Sequence, residues 1–255
     1  MTPILEVEQL SRRFGGLAAV NDVSFSLGEA EVLAVIGPNG AGKSTLINLI
    51  TGHVKPTSGR VVIGGRDVTG ARPWSIADAE VARTFQMSSR SASSTCARTW
   101  RSARCSDPRA PDRRARRARA DEVLERVGLA EQADAEPGGL NVADARRLEL
   151  AKALAMRPRL LLLDEVMAGL RPREIETALE LIRSLKDEEM TILVVEHVMK
   201  AILSVSDTVL VMHEGEELVH GEPQKVMEDE RVIEAYLGQR YAKRMRARRE
   251  EGRDA

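Results

Sequence analysis

Apolar and polar positions alternate in the first part of the chain. Residues 4–10 and 20–27 follow this pattern, and residues 59–63 continue it. A period of two is typical of strands that bury one face against a core. We therefore predict an antiparallel β layer near the N-terminus.

The second part of the chain carries runs that are almost continuously apolar. They span residues 159–163 and 190–195, and a helical pattern from Glu174 to Asp187 separates them. Strands that are buried on both faces have this composition, and a helix between two such strands favours parallel pairing. We therefore predict buried parallel strands in an α/β sheet.

A glycine-rich stretch lies between an apolar run at residues 32–36 and a second one at residues 46–50. A strand, a glycine loop and a helix start in this order hold nucleotide phosphates, because backbone N–H groups and the positive end of the helix face the anion. Lys43 would reach the β- and γ-phosphates, and the Ser44 hydroxyl would bind Mg²⁺. The predicted phosphate-binding residues are Gly37, Pro38, Asn39, Gly40, Ala41, Gly42, Lys43, Ser44 and Thr45.

Charged residues follow each of the two continuous apolar runs. The first run ends in Asp164 and Glu165, and the second ends in Glu196 and His197. Asp164 can hold Mg²⁺ through water, whereas Glu165 would point toward the γ-phosphate and polarise a water molecule. Ligands bind at the carboxyl ends of strands in open α/β sheets, so we predict that His197 contacts the γ-phosphate, although a lone histidine is more often structural.

Composition narrows the classes of protein that the chain can belong to. The 255 residues are 43% hydrophobic, and no apolar run reaches the roughly 20 residues that span a bilayer. The formal charge of −1 gives no reason to expect nucleic acid as a partner. Cys96 and Cys105 do not suggest a disulfide framework, and no Cys or His spacing indicates a zinc site. We expect a cytoplasmic protein.

The order of the motifs resembles that of the ATP-binding cassette (ABC) ATPases. Four motifs follow one another in the order that this family shows: the glycine-rich loop, residues 84–86 (Thr-Phe-Gln), residues 163–165 and residues 195–197. Passages similar to the ATPase subunits of branched-chain amino acid importers lie at residues 13–17, 164–170, 196–200 and 232–238. The resemblance covers about residues 4–86 and 121–238.

The resemblance implies a fold and a division of the chain. The expected fold is an α/β, RecA-like P-loop NTPase core with an N-terminal antiparallel β layer and a helical subdomain. Residues 1–238 would form the ATPase domain, with the helical subdomain at about residues 87–158. Residues 239–255 would form a basic C-terminal tail.

The resemblance also implies roles for individual residues. Phe14 would stack on adenine, although a phenylalanine there can equally belong to a core. Gln86 would link Mg²⁺ and the attacking water to the helical subdomain, Glu165 would be the general base, and His197 would sense the γ-phosphate. Arg171 and Pro172 would lie in a loop at the dimer interface.

The signature segment departs from the commonest pattern of the family, Leu-Ser-Gly-Gly-Gln. Here the matching residues are 140–144 (Leu-Asn-Val-Ala-Asp). Asn141 keeps a side-chain donor for the partner's ATP, and Ala143 is small enough for close approach. Asp144 would repel phosphate if it faced it, but would stabilise the helix start if it faced outward. We expect a working variant of the signature.

The function implied by the resemblance is ATP hydrolysis that powers import of branched-chain amino acids or related small solutes. ATP and Mg²⁺ are the expected cofactors. The expected partners are a second ATPase subunit in a homodimer or heterodimer, membrane permease subunits, and indirectly a periplasmic solute-binding protein, with no nucleic acid. The subunit would lie on the inner face of the cell membrane. The alternatives are a non-transport ABC ATPase, or a nucleotide-binding subunit with impaired hydrolysis or coupling.

Residues 87–122 do not fit the resemblance. They contain no Leu, Ile or Val but ten arginines, so we expect no packed helical core there. In a shifted reading frame, each new codon consists of the third base of one codon and the first two bases of the following codon. Read in this frame, residues 90–105 can be decoded as a segment with several valines and leucines. We therefore hypothesise two compensating frameshifts, near Gln86 and before Asp121. The alternatives are a disordered Arg-rich insert and a basic patch for lipid or nucleic acid.

Overall fold

The computed structural model describes residues 3–84, 112–135, 139–196 and 202–237, and their strands form two sheets. The strands are β1 (Leu5–Phe14), β2 (Leu17–Leu27), β3 (Val32–Ile36), β4 (Ser58–Ile63), β5 (Arg66–Asp67), β6 (Val81–Arg83), β7 (Leu160–Asp164), β8 (Thr191–Val195), β9 (Thr208–His213) and β10 (Glu216–Gly221). The helices are α1 (Lys43–Ile50), α2 (Pro73–Asp78), α3 (Arg113–Arg126), α4 (Val142–Ala155), α5 (Pro172–Asp187), α6 (Pro223–Glu228) and α7 (Glu230–Leu237). A 3₁₀ turn, Ala130–Gln132, follows α3.

The first sheet is the antiparallel layer that the N-terminal alternation predicts. Its strand order is β2-β1-β4-β5, and every pairing is antiparallel. On β1, Leu5 and Val7 are buried, whereas Glu8 on the opposite face is exposed. The buried face of this sheet packs against one face of the second sheet.

The second sheet has the strand order β10-β9-β3-β8-β7-β6 and is parallel from β9 to β6. Its strands are buried on both faces: Leu33 and Val35 of β3 belong to the core between the sheets, and Ala34 and Ile36 belong to the core under the helices. This two-sided burial is the physical reason for the continuous apolar runs.

Parallel pairing places the carboxyl ends of five strands at one edge of the second sheet. The glycine-rich loop follows β3, Asp164 ends β7, Glu196 follows β8, and Thr84 follows β6. Residues that are far apart in the sequence therefore meet at this edge, which is where open α/β sheets bind ligands.

The helices match the sequence predictions in one place and contradict them in another. The predicted helix at 174–187 is α5, which begins two residues earlier because Pro172 occupies its first turn. The expectation of no packed helix within residues 87–122 is wrong for its last ten residues, which lie in α3. Ala120 is fully buried there, and the Arg119 guanidinium donates to the Leu154 carbonyl at 2.7 Å. Residues 85–111 lie outside the described part of the chain.

Candidate nucleotide-binding site

The glycine-rich loop, residues 37–45, surrounds the N-terminus of α1. Gly42 precedes the helix in a left-handed conformation, with φ of 101°, and no side chain caps the first turn. The N–H groups at the start of α1 are therefore not capped by a side chain. A Cβ at Gly42 would lie 2.3 Å from the Ala19 carbonyl oxygen, and one at Gly37 would lie 2.2 Å from the Met212 carbonyl oxygen. The loop conformation thus requires glycine at these two positions.

Lys43 lies inside the loop and is only 5% exposed. Its ammonium group donates to the carbonyl oxygens of Gly37 at 2.8 Å and Pro38 at 3.0 Å. Burial lowers the pKa of Lys43, and the nearby carboxylates of Glu165 and Asp164 oppose this shift. The site therefore holds one ammonium group near two carboxylates.

A cavity of about 610 Å³ opens in front of the loop. Residues 39–45 line one side of it, and Glu165 lines another. Residues 17–19, where β2 begins, and Glu214, in the turn between β9 and β10, complete the lining. The cavity is therefore bounded by charged groups at the loop and by apolar groups at the start of β2.

The two acidic residues after β7 occupy different environments. Asp164 is 6% exposed, and its Oδ2 accepts from the Arg83 guanidinium at 2.7 Å. Glu165 has a φ of 50°, and its backbone N–H donates to the Val195 carbonyl at 2.9 Å. This left-handed backbone conformation forms a tight turn directly after β7. The turn places the Glu165 side chain in the cavity with Lys43 and Ser44.

Phe14, the predicted adenine-stacking residue, lies at the end of β1 and is 47% exposed. The guanidinium of Arg12 stacks over its ring at 4.6 Å, which leaves only one ring face for another partner. Phe14 is not among the residues that line the cavity, whereas Leu17 is. Leu17 is 69% exposed, and sequence reasoning did not single out its contact with the cavity.

The signature segment forms the start of α4. Asn141 caps the helix: its Oδ1 accepts from the Asp144 N–H at 2.9 Å, and its Nδ2 donates to Asp144 Oδ2 at 2.8 Å. Arg147 lies 3.4 Å from the other oxygen of Asp144. The Asp144 carboxylate is thus paired within its own helix, and Ala143 is buried beside it. The Asn141 donor expected for the partner's ATP is engaged by Asp144.

Two predicted site residues, Gln86 and His197, lie outside the described residues. The neighbour of His197, Glu196, is 1% exposed, and its Oε1 accepts from the Met167 N–H at 2.7 Å. Arg171 and Pro172 begin α5, where the Arg171 N–H donates to the Glu174 carboxylate at 2.7 Å.

The oxygen groups at the edge of the sheet suit Mg²⁺. Ser44 is exposed in the first turn of α1, and the Asp164 carboxylate ends a strand that contacts this helix. Within the described residues, no group of three or more His, Cys, Asp or Glu side chains could hold a metal ion. Mg²⁺ in nucleotide sites needs only one or two protein oxygens, because substrate phosphates and water supply the remaining ligands.

Arg83 and Tyr236 are site neighbours that sequence reasoning missed. The Tyr236 hydroxyl oxygen on α7 is buried close to the backbone N–H of Gly37, yet it makes no hydrogen bond of ordinary geometry to the described residues. Burial raises the pKa of Tyr236 to about 12, and the Gly37 N–H acts in the opposite direction. The only sequence signal for Tyr236 was its place in the closing passage at 232–238.

Comparison with known proteins identifies the family. An ABC transporter family model matches residues 20–168, and a model of the branched-chain amino acid ATP-binding cassette transporter matches residues 217–242. The high-affinity branched-chain amino acid transport ATP-binding protein LivG of Salmonella typhimurium is 38% identical over 251 residues, which covers 93% of this chain and 98% of that protein. BraF of Pseudomonas aeruginosa, described in the same words, has the same identity and coverage.

A solved structure of the ADP conformation of an ATP-binding cassette has the same fold. It is 28% identical with a TM-score of 0.84, and the match covers 94% of this chain and 100% of that one. No helix among the described residues is long and apolar enough to cross a membrane.

The glycine-rich loop on a parallel sheet, with an acidic pair at the same edge, defines a P-loop NTPase. The chain belongs to the ABC transporter family of ATP-binding, transport-driving ATPases. Within this family it is close to the ATP-binding proteins of branched-chain amino acid transport, so the resemblance found in the sequence is confirmed.

Proposed function

We propose that this chain is the ATP-hydrolysing subunit of an importer for branched-chain amino acids or related small solutes. The observation that carries the catalytic part is the cavity that Glu165 lines together with Lys43 and Ser44. The solute is assigned from the names of the relatives and from the match at residues 217–242, because an ATPase subunit binds nucleotide and does not contact the transported solute.

In this proposal, the start of α1 and Lys43 bind the β- and γ-phosphates of ATP. The loop N–H groups are fixed before ATP arrives, so they stabilise the charge that develops during phosphoryl transfer without reorganising. Ser44 and Asp164 would hold Mg²⁺, which would neutralise phosphate charge there. Glu165 accepts a proton from the water that attacks the γ-phosphate in line.

The remaining roles rest on the resemblance of the motifs. Gln86 would link Mg²⁺ and the attacking water to the helical subdomain, and His197 would contact the γ-phosphate. Phe14 offers the ring face not covered by Arg12 to adenine, and Leu17 adds an apolar surface that lines the cavity itself.

The proposed assembly contains two ATPase subunits, either identical or related. Each ATP lies between the glycine-rich loop of one subunit and the signature of the other, where Asn141, Ala143 and Asp144 stand at the start of α4; Asn141 would exchange its contact with Asp144 for one with the partner's ATP. The dimer closes when it binds ATP and opens after hydrolysis, and these movements drive a membrane permease. A periplasmic solute-binding protein delivers the solute to that permease. The subunit therefore lies on the cytoplasmic face of the membrane.

Replacing Glu165 with Gln tests the general base. The amide keeps the shape of the side chain but takes up no proton, so we expect ATP binding to remain and steady-state hydrolysis to fall roughly 100-fold or more. Glu176→Gln, an exposed change on α5, is the matched control and should hydrolyse ATP at the wild-type rate. Hydrolysis by the Glu165→Gln protein at the control rate would refute the assignment.

Uptake by proteoliposomes tests the transport function. The wild-type chain is reconstituted with the permease subunits and solute-binding protein of a branched-chain amino acid importer, and uptake of labelled leucine is measured with ATP inside the vesicles. We expect uptake that depends on ATP and is lost with Glu165→Gln. ATP hydrolysis without any uptake of leucine, isoleucine or valine would contradict the assigned solute or the coupling, and ATP binding without hydrolysis would favour the impaired-subunit alternative.

A further inference from the structure

Arg83 joins three elements at the edge of the parallel sheet. It ends β6, its side chain is 11% exposed, and it donates to Asp164 Oδ2 at 2.7 Å. The same guanidinium donates from Nη1 to Asn48 Oδ1 at 2.7 Å and to Thr51 Oγ1 at 3.2 Å. Arg83 therefore connects the carboxyl end of β7 to the side of α1.

The residues that Arg83 contacts on α1 share a face with the proposed Mg²⁺ ligand Ser44. Asn48 follows Ser44 by four residues, and Thr51 follows it by seven, so all three lie along one side of the helix and its C-cap. Thr51 is held in place because its hydroxyl donates to the Ile47 carbonyl at 2.7 Å. The contacts of Arg83 thus fix the face of α1 that begins at Ser44.

Asp164 is held from β6 at two points. The Thr84 hydroxyl accepts from the Asp164 N–H at 3.1 Å, and Arg83 takes the side-chain oxygen Oδ2. Arg83 donates to Asp164 through Oδ2, so the ion pair leaves the second carboxylate oxygen, Oδ1, outside its contact. Both partners of the ion pair are nearly buried, which makes the geometry of the pair well defined.

We propose that Arg83 is a positioning residue that fixes Asp164 relative to Ser44, and so sets the spacing of the Mg²⁺ site. This inference rests on the assignment of Ser44 and Asp164 to Mg²⁺ under the proposed function. Arginine suits the role because its planar fork can donate to the carboxylate and to Asn48 at once, whereas a lysine ammonium at the same place cannot span both. Residues that orient metal ligands tune metal affinity without touching the metal.

Manganese binding provides a readout that does not depend on turnover. Mn²⁺ affinity in the ADP complex is measured by electron paramagnetic resonance for wild type, Arg83→Met, Arg83→Lys and Arg60→Met, and ADP affinity is measured in EDTA. Arg60 is the matched control because it pairs with Asp67 on the surface at 2.8 Å, away from the site. We expect Arg83→Met to weaken Mn²⁺ binding about tenfold, ADP affinity in EDTA to change less than about twofold, and Arg60→Met to match wild type.

The lysine variant separates geometry from charge. The Mn²⁺ affinity of Arg83→Lys should remain at least about threefold weaker than that of wild type, because one ammonium group cannot hold both Asp164 and Asn48. Wild-type Mn²⁺ affinity in either Arg83 variant would overturn the proposal.

Asn48→Ala keeps the Arg83–Asp164 pair and removes the shorter of the two contacts that Arg83 makes with α1, the longer being to Thr51, so it tests the proposal if Arg83→Met does not fold. It should also weaken Mn²⁺ binding by about threefold, and unchanged affinity would overturn the proposal. Asp164→Asn tests the underlying assignment. If this change leaves Mn²⁺ affinity intact, the Mg²⁺ site of the proposed function is refuted. If Mn²⁺ affinity falls in Asp164→Asn but not in Asn48→Ala or Arg83→Lys, only the role of Arg83 is refuted.

Discussion

Gly40 and Gly42 have similar backbone conformations in the phosphate-binding loop but different surroundings. Their φ angles are 82° and 101°, so an alanine at either position is strained. At Gly42 the new Cβ would also lie 2.3 Å from the Ala19 carbonyl oxygen, whereas at Gly40 it meets nothing within 4 Å. An alanine at Gly40 would therefore test backbone strain alone, whereas an alanine at Gly42 would test backbone strain together with the close approach of β2.

We expect Gly42→Ala to lower the free energy of unfolding by more than about 2 kcal/mol, and Gly40→Ala to lower it by about 1 kcal/mol. Urea denaturation of the two variants beside wild type measures the difference. Equal losses would mean that the loop moves away from β2 without cost, and that the space around Gly42 does not constrain the phosphate-binding loop.

At the level of elements, the sequence predicts β1 to β4, β7 and β8 because burial imposes their patterns, whereas β5, β6, β9 and β10 were not predicted. The alternation of β1 and the continuous apolar runs of β7 and β8 follow directly from one-sided and two-sided burial. The part of α3 up to residue 122 escapes prediction because its buried apolar side chains, Val123 and Leu124, come after that point, and before it the helix packs through Ala120 and through Arg119, whose partner is a backbone carbonyl of α4. A hydrophobicity pattern cannot register a contact of this kind.

The same limit applies to the candidate site. The loop at 37–45 and the acidic pair at 164–165 carry local motifs, so they can be read from the sequence. The pairing of Arg83 with Asp164 joins residues on separate strands and becomes visible only when β6 and β7 are side by side. The pairing of Asp144 depends on side-chain directions at a helix start, which sequence alone left open between two orientations.

The start of α4 gives a prediction at this scale. Asn141→Ala removes the cap of the signature helix and should cost about 1 kcal/mol of stability, whereas Asn141→Ser keeps a cap acceptor and should stay within about 0.5 kcal/mol of wild type. Chemical denaturation of the two variants checks the difference. If the alanine variant is as stable as the serine variant, the contact between Asn141 and the Asp144 N–H does not hold the helix start.

Across the whole molecule, α7 brings the end of the described chain back to the first residue of the phosphate-binding loop. Tyr236 packs against the core under the helices, and its hydroxyl lies by the N–H of Gly37. Helix α7 also lies within residues 217–242, which match the branched-chain amino acid transporter model. The region that marks this branch of the family therefore contacts the part of the fold that all P-loop NTPases share.

The raised pKa of Tyr236 predicts how this contact responds to pH. In the unfolded chain the phenol loses its proton near its ordinary pKa of 10.0, but in the folded protein it keeps the proton to about pH 12. Between these values the unfolded chain binds fewer protons, so stability falls as pH rises.

Tyr236→Phe lacks this titration. The free energy of unfolding of wild type should therefore decline relative to that of Tyr236→Phe between pH 10 and 12 and run parallel to it below pH 9, as urea denaturation at a series of pH values would measure. Parallel curves over the whole range would show that the hydroxyl is open to water and that α7 does not pack closely on the loop.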